Sequence, residues 1–187
     1  MLKKIVIILA IIVSIILIIY NKFYNKEKKI ETINSENINN YNSNFLENVE
    51  YKAKDSKGNL YIIRASKGTI DHNNNNIIFL EDVKSQIKLT NFDEIDIKSD
   101  FGKYNISNYD TIFSKNVIIN YLDNEITGEY LDFSLIKNKM IFSRNIIYTN
   151  LENILKADVI EIDIDTKNTK IFMYEENKKV NIKNRDY

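Results

Sequence analysis

A five-residue pattern recurs at nearly constant intervals through most of the chain. It is an aromatic residue, two variable residues, an asparagine or aspartate, and then a β-branched residue. It occurs at Phe45–Val49, Phe79–Val83, Phe113–Val117 and Phe142–Ile146, and a degenerate fifth copy begins at Phe172. Successive phenylalanines are 34, 34, 29 and 30 residues apart. A fixed period of this length predicts one supersecondary unit repeated along the chain, each copy stacking on its neighbour.

Between the copies, apolar and polar residues alternate with a period of two. Ile95 and Ile97 alternate with Glu94, Asp96 and Lys98, and the same alternation runs through 83–89, 131–135 and 160–165. Strict alternation predicts half-buried antiparallel strands. Asparagine- and aspartate-rich turns follow the strands at 71–76, 108–110, 122–124, 137–139 and 165–168. We therefore predict an all-β domain over 45–187, a repetitive antiparallel sheet of about a dozen short strands, folded as a jelly roll or V-shaped stack.

The N-terminal residues predict a membrane anchor. Ile5–Tyr20 is apolar apart from Ser14 and the closing tyrosine, long enough to span a bilayer with the flanking residues. A cleaved signal peptide is the alternative, but no small-residue cleavage site follows the apolar run. We expect an anchor over 1–24 and a polar linker over 25–44. Lys3 and Lys4 favour a cytoplasmic N-terminus and a β-domain outside the cytoplasm, although lysines also follow the helix.

Composition and motifs argue against several classes of function. The net charge is zero, so no overall field attracts nucleic acid. Cysteine is absent, which excludes disulfides and thiolate metal sites. The sole histidine, His72, precedes four asparagines at a predicted hairpin tip, and Asp163 and Asp165 alternate with isoleucines on an outward strand face. We find no phosphate loop and no catalytic motif, and we predict no enzyme activity, cofactor or metal site.

The whole chain resembles the LptC family, the inner-membrane member of the lipopolysaccharide export bridge. The resemblance lies in the anchor, the linker, the segment Val49–Ala65, the unit Ala65–Asp71 with Ile78–Val83, and the closing Ala157–Asp163 strand. It implies lipopolysaccharide transport, with the protein accepting lipopolysaccharide from the LptB–LptF–LptG ABC transporter at the inner membrane and passing it to LptA. One departure is Asn150–Asn153, which stands where the family often has a glycine.

On this resemblance the apolar face of the sheet is an open trough for acyl chains. Its expected lipid-lining residues are those with inward phase: Ile63, Val83, Ile87, Leu89, Ile95, Ile97, Phe101, Val117, Ile119, Leu131, Phe133, Ile160 and Ile162. The two ends of the sheet are expected to bind partners by strand addition. The transporter is expected to bind at Phe45, Val49 and Tyr51. The LptA-like protein is expected to bind at Ile171, Phe172 and Tyr174. Periodicity fits a filled core equally well, so the alternative is a membrane-anchored periplasmic scaffold that assembles an envelope complex without binding lipid.

Overall fold

A single antiparallel sheet accounts for the described part of the chain. The computed structural model describes residues 31–32, 45–55, 57–90 and 94–185, all of which belong to one compact unit, Glu31–Tyr187. These residues form strands and turns, with no α-helix among them. The all-β prediction is therefore confirmed. Within this part of the chain no helix could cross a membrane, and the predicted anchor at 1–24 lies outside the described residues.

In the described residues the sheet has eleven strands. Their bounds are β1 Glu31–Thr32, β2 Phe45–Lys54, β3 Leu60–Ile70, β4 Ile77–Lys88, β5 Ile95–Asn105, β6 Thr111–Tyr121, β7 Asn124–Ser134, β8 Lys139–Thr149, β9 Asn153–Asp163, β10 Thr169–Phe172 and β11 Asn181–Asn184. Neighbours in sequence are neighbours in the sheet from β1 to β10, and β11 pairs with β9. The strands from β2 to β9 are 10–12 residues long, so the expected short strands are instead long ones. β1 falls in the predicted linker, the rest of which lies outside the described residues.

The recurring pattern marks a bend in the middle of each even-numbered strand from β2 to β8. Its asparagine or aspartate has a positive φ in all four copies, at Asn48, Asp82, Asn116 and Asn145. Asparagine and aspartate adopt this left-handed conformation more readily than other non-glycine residues, which explains their recurrence. In the third and fourth copies the preceding residue, Lys115 or Arg144, also has a positive φ, and the pairing register shifts there. Such bulges bend a strand without ending it.

The bends divide the sheet into two halves that we call arm 1 and arm 2. Arm 1 comprises 45–47, 67–70, 77–81, 101–105, 111–114, 130–134, 139–143 and 159–163, and arm 2 comprises 49–54, 60–65, 83–88, 95–98, 117–121, 124–127, 146–149 and 153–156.

The two arms approach each other. The ring centroids of Tyr51 on β2 and Tyr104 on β5 are 4.8 Å apart, and those of Tyr61 on β3 and Phe133 on β7 are 5.9 Å apart. In a flat sheet strands three or four places apart would be separated by about 14–19 Å. The sheet therefore folds back along the line of bends, and its core lies between the arms.

Glycine at the inner corner allows the arms to come this close. A Cβ added at Gly68 or Gly102 would lie 3.0 Å from a methyl group of Val49 or Val83, the last residue of the bend pattern. A Cβ at Gly128 would lie 3.0 Å from the Phe142 ring. These contacts are closer than ordinary packing distances, so a side chain at these positions would push the strands apart.

Asn150 replaces the turn glycine that resemblance to the family leads one to expect. Its side-chain oxygen accepts hydrogen bonds from the backbone N–H groups of Glu152 (2.9 Å) and Asn153 (2.6 Å). Its own N–H donates to the carbonyl of Asn153 at 3.0 Å. An asparagine side chain thus closes the β8–β9 connection without glycine.

Candidate functional site: the interior between the arms

The apolar row predicted from the sequence lies mainly in the interior between the arms. Nine of the thirteen candidate lipid-lining residues are buried, and four of them are at most 1% exposed: Val83, Ile97, Val117 and Leu131. The other five buried ones are Ile63, Ile87, Ile119, Phe133 and Ile160. Three further candidates are partly exposed and lie close to an end of their strands: Leu89, Ile95 and Ile162. The nine buried candidates lie on six strands, β3 to β7 and β9. The row is continuous from β3 to β9 because β8 contributes the buried residues Met140, Phe142 and Ile146, which were not among the candidates.

Phe101 is the exception, because it lies on the outer face and is 42% exposed. The inward phase of β5 changes by one position at the bend, between the buried Ser99 and Gly102, so that Phe101 points outward. Gly102 and Tyr104 face inward there instead. The ammonium group of Lys115 lies 4.9 Å from the centroid of the Phe101 ring. The expected inward placement of Phe101 is therefore wrong.

Three tyrosines line the place where the arms meet: Tyr51, expected only as a partner-binding residue, and Tyr61 and Tyr104, which were not among the candidates. Burial raises the pKa of Tyr51 to about 12 and also raises the pKa of Tyr104. Burial raises the pKa of Tyr61, and the negative charge of Asp55 raises it further. The Tyr61 hydroxyl donates a hydrogen bond to the Asp55 carboxylate at 3.1 Å. All three phenols are therefore neutral at physiological pH. The inward phase of Tyr51 and Tyr61 could have been read from the alternation, but their partners on distant strands could not.

Polar atoms of the interior are largely satisfied within the protein. The Ser85 hydroxyl donates to the carbonyl of Ile62 at 2.9 Å, and the Ser99 hydroxyl donates to the carbonyl of Phe101 at 2.8 Å. Because these hydroxyls bind backbone groups, the surface they present to the interior is mainly apolar. The interior between the arms therefore offers few free polar groups to a polar ligand.

An ion pair joins the tips of the two arms. Lys57, in the turn that ends arm 2, lies 2.5 Å from Asp165, in the turn that ends arm 1. The same carboxylate accepts a hydrogen bond from the Asn138 side chain at 2.5 Å. Hydrogen bonding to Asp165 raises the pKa of Lys57. Both side chains are exposed, so this contact adds little to stability and can break readily.

The expected partner-binding residues lie at the two ends of the sheet. Val49 and Tyr51 face the interior, while Phe45 is 40% exposed on the outer face. At the other end Ile171, Phe172 and Tyr174 are exposed, with Tyr174 following β10. Strand addition uses backbone groups, so the inward direction of the Val49 and Tyr51 side chains does not oppose it. The fifth copy of the pattern forms no bend, since no residue from Phe172 to Glu176 has a positive φ.

Other chemistry is sparse in the described residues. No group of three or more histidine, aspartate or glutamate side chains in this part of the chain is arranged to hold a metal ion. His72 is exposed in the β3–β4 connection, the expected position. A cleft of about 290 Å³ lies beside the bends of β6, β7 and β8, where Gly128 is flanked by Asn116 and Asn145.

Comparison with known families identifies a match to most of the chain. A family model described as "Lipopolysaccharide-assembly, LptC-related" matches residues 7–169, most of the chain. No curated protein matches the chain. The matched range includes β2 to β9 and ends at the first residue of β10.

Proposed function

This chain belongs to the LptC-related family of lipopolysaccharide-assembly proteins, and on that basis we propose that its β-domain carries lipopolysaccharide between its arms. Membership assigns a role in lipopolysaccharide transport at the level of the family, which is a transport family and not an enzyme family. In our proposal residues 1–24 anchor the protein in the inner membrane with the N-terminus cytoplasmic. Residues 25–44 form the linker, and residues 45–187 form a periplasmic V-shaped trough.

The observation that carries the proposal is the continuous inward apolar row from Ile63 on β3 to Ile160 on β9. Each methylene of an acyl chain buried against such a surface contributes about 0.8 kcal/mol. In the proposed pathway, lipopolysaccharide enters from an LptF/LptG-type transporter near β2 and leaves to an LptA-like protein at the other end of the sheet. The protein performs no covalent step, and ATP hydrolysis in the transporter drives the flow.

Entry of an acyl chain requires the arms to separate. The contacts that join them across the interior include Tyr51–Tyr104, Tyr61–Phe133 and the exposed pair Lys57–Asp165. The strands themselves are held by continuous backbone ladders on both sides of the bends. We therefore propose that the arms open about the line of bends while the sheet stays intact. The flexible point is the row of left-handed residues, where the ladder is already interrupted.

A second candidate function is a scaffold that holds envelope partners by strand addition and binds no lipid. The observation that favours it is the closure of the interior, where Val83, Ile97 and Leu131 are covered by neighbouring side chains. A filled core of this kind stabilises a sheet without any ligand. The two functions differ in whether the interior residues ever contact lipid during transport.

Site-specific photo-crosslinking separates the two functions. A photoreactive residue is placed at Ile87, Val117 or Phe133, all buried between the arms, and at the exposed Lys88 as a matched outward control. Lipid carriage predicts adducts with lipopolysaccharide at the three inward positions, in an ATP-dependent manner, and few at Lys88. Adducts at Lys88 alone, or none in a transporter that remains active, would favour the scaffold. Co-purification from detergent then tests whether an ABC transporter accompanies the protein.

A further inference from the structure

An apolar stripe crosses the outer face of arm 1. On each strand from β4 to β8, one of two outward positions in this arm holds an apolar or aromatic residue and the other holds a polar one. From one strand to the next, the apolar residue changes from one of these positions to the other. The residues of this outer stripe are Phe79, Phe101, Ile112, Tyr130 and Ile141.

The pairing registers make the outer stripe continuous. Two rows of directly opposite residues cross the arm, and they are Phe79–Lys103–Ile112–Asp132–Ile141 and Glu81–Phe101–Ser114–Tyr130–Ser143. Each stripe residue is therefore diagonal to the stripe residue of the next strand. Diagonal neighbours in an antiparallel pair are about 7–8 Å apart, which aromatic and long side chains can bridge.

The outer stripe is accessible and is separate from the core. Phe79 is 47% exposed and Phe101 is 42% exposed, and the other three stripe residues are partly exposed. Their neighbours in the chain, Leu80, Phe113 and Leu131, point inward and are at most 1% exposed. Single exposed apolar residues are ordinary, whereas contiguous exposed apolar surface marks a site of interaction with a protein or a membrane.

The outer face of arm 2 differs on the same strands. Lys84 on β4 lies directly opposite Lys98 on β5, and Thr127 on β7 separates Ile118 on β6 from Ile147 on β8. Within the described strands β4 to β8, no outward position of arm 2 holds an aromatic residue. The two outer faces of one sheet therefore suit different surroundings, a polar one for arm 2 and a partly apolar one for arm 1.

Two long cationic side chains lie against aromatic rings of the outer stripe. The ammonium group of Lys115 is 4.9 Å from the centroid of the Phe101 ring, and the guanidinium carbon of Arg144 is 5.5 Å from the centroid of the Tyr130 ring. Aromatic rings beside long cations are typical of a bilayer interface, where the rings lie among the headgroups and the cations extend to water and phosphate. The charges within the two rows have both signs, so apolar insertion and not net charge would drive binding.

The N-terminal part of the chain favours a bilayer over a soluble partner. In the proposed function residues 1–24 anchor the protein, which keeps the β-domain at the membrane. β1 begins at Glu31 and already pairs with β2, so six residues, 25–30, connect the anchor to the sheet. A connection of this length spans at most about 25 Å. Because the tether gives the bilayer a high effective concentration at the domain, weak insertion is enough to hold the two together.

We propose that the outer stripe is a membrane-interface surface, with which the domain lies on the phospholipid bilayer that holds its own anchor. Arm 1 then faces the lipid and arm 2 faces water. The stripe residues enter the boundary between headgroups and acyl chains, a layer about 5–10 Å deep. The inference rests on the proposed anchor and not on the carriage of lipopolysaccharide between the arms.

The test uses the full chain in vesicles of phosphatidylethanolamine and phosphatidylglycerol. The chain has no cysteine, so one introduced cysteine carries a fluorophore, and part of the lipid carries a nitroxide quencher on its acyl chain. Ile112→Cys in the stripe is matched with Ile118→Cys, because both are outward, partly exposed isoleucines of β6 in different arms.

Quenching should be several-fold stronger at the Ile112→Cys site than at the Ile118→Cys site. It should persist when phosphatidylcholine replaces the anionic phosphatidylglycerol, because the stripe inserts through its apolar side chains. Equal quenching at the two sites, or quenching that requires the anionic lipid, would overturn the proposal.

Substitutions away from the label exclude an effect of the fluorophore itself. In the Ile112→Cys chain, Phe79→Glu with Phe101→Glu should remove most of the quenching, whereas Lys84→Glu with Lys98→Glu on the outer face of arm 2 should leave it unchanged. All four residues are exposed, and circular dichroism checks that both variants keep their β-signal. Unchanged quenching in a folded Phe79→Glu, Phe101→Glu chain would contradict the proposal. Self-quenching between labelled copies without quenching by lipid would assign this face to a second copy and would also contradict it.

Flotation of the vesicles separates this inference from the proposed function. Flotation of the chain reports the anchor, and quenching reports the stripe. A chain that floats but is not quenched overturns this inference alone, and it leaves lipid carriage standing because the vesicles contain neither lipopolysaccharide nor a transporter. A chain that does not float refutes the proposed anchor and this inference with it.

Discussion

The rings of Tyr51 and Tyr104 lie 4.8 Å apart and 33° from coplanar, although their strands are three places apart in the sheet. This pair shows that the sheet is folded over on itself, because the two rings belong to different arms. Tyr104 is 3% exposed, so most of its surface is buried in that contact and its surroundings. The closed interior thus depends on aromatic packing across the arms as well as on the backbone ladder.

Loss of the Tyr104 ring should destabilise the closed domain. We expect Tyr104→Ala to lower the free energy of unfolding by about 3–5 kcal/mol, the usual cost of removing a buried aromatic ring. Tyr104→Phe keeps the ring and should cost about 1 kcal/mol or less. Urea denaturation of the full chain in detergent, followed by circular dichroism, measures both. Equal losses for the two variants would mean that the hydroxyl, and not ring packing, is what matters.

The buried tyrosines should make the fold sensitive to alkali. The pKa of Tyr51 is raised to about 12 by burial, whereas an exposed tyrosine in the unfolded chain titrates near 10. The neutral form is thus favoured in the folded state. The contribution of the neutral Tyr51 to the stability of the folded state is fully present below about pH 10. It is lost progressively as the pH rises through the pKa that Tyr51 has in the folded state.

We therefore expect the free energy of unfolding to fall between about pH 10 and pH 12. Ultraviolet absorbance of tyrosinate, recorded alongside circular dichroism, checks this. Tyr51, Tyr61 and Tyr104 should ionise only as the β-signal is lost, after the exposed tyrosines have titrated. Replacing all three by phenylalanine should shift the alkaline unfolding midpoint upward. Full ionisation of every tyrosine with the sheet intact would contradict the packing described here.

The inner corner at Gly128 should tolerate no side chain. An added Cβ would meet the Phe142 ring at 3.0 Å and the Arg144 carbonyl at 3.1 Å, and the backbone contact cannot move away cheaply. We expect Gly128→Ala to cost about 1–3 kcal/mol of unfolding free energy, as overpacking usually does. Glu125→Ala, on an exposed site of the same strand, should stay within about 0.5 kcal/mol. Matched denaturation curves decide the point, and an unchanged midpoint for Gly128→Ala would argue against a tight corner.

Local features of the fold were predictable from the sequence because they depend on local chemistry. The asparagine-rich turns and the alternation of Ile95 and Ile97 with charged residues gave the strands and most of the inward row, since period-two patterning reports the buried face directly. The repeat was also recognised, but its structural meaning was not. A residue with a positive φ looks like any other asparagine in a sequence, so the repeat predicts a recurring unit but not the bend at Asn116.

Features that depend on distant strands could not be predicted in the same way. The change of inward phase between Ser99 and Gly102 places Phe101 on the outer face, which no alternation count can anticipate. The contact of Tyr61 with Phe133 requires the whole sheet to fold back, so it is a property of the assembled domain. The pairing of β10 and β11 with β9 is likewise not predictable from the sequence, because a strand that docks a partner and a strand that pairs within the molecule have the same sequence character.

The first two residues of the bend pattern differ between its early and late copies, and this difference goes with which of the two faces inward. Its first two copies begin Phe-Leu, and its last two begin Phe-Ser. In the second copy Leu80 is 1% exposed and Phe79 is 47% exposed, whereas in the third copy Phe113 is 1% exposed and Ser114 is only partly buried. The extra left-handed residue at Lys115 accounts for this shift of one position in the inward phase.

The same substitution at the first position of the pattern should therefore have opposite consequences in the two copies. We expect Phe113→Ala to lower the free energy of unfolding by about 3–5 kcal/mol, and Phe79→Ala to change it by about 1 kcal/mol or less. At the second position of the pattern the order reverses. We expect Leu80→Ala to lower the free energy of unfolding by about 2–5 kcal/mol and Ser114→Ala to change it very little. Denaturation of the four variants under one set of conditions provides the measurement. Equal costs for Phe79→Ala and Phe113→Ala would mean that the copies bend identically and that the left-handed residue at Lys115 does not set the inward phase.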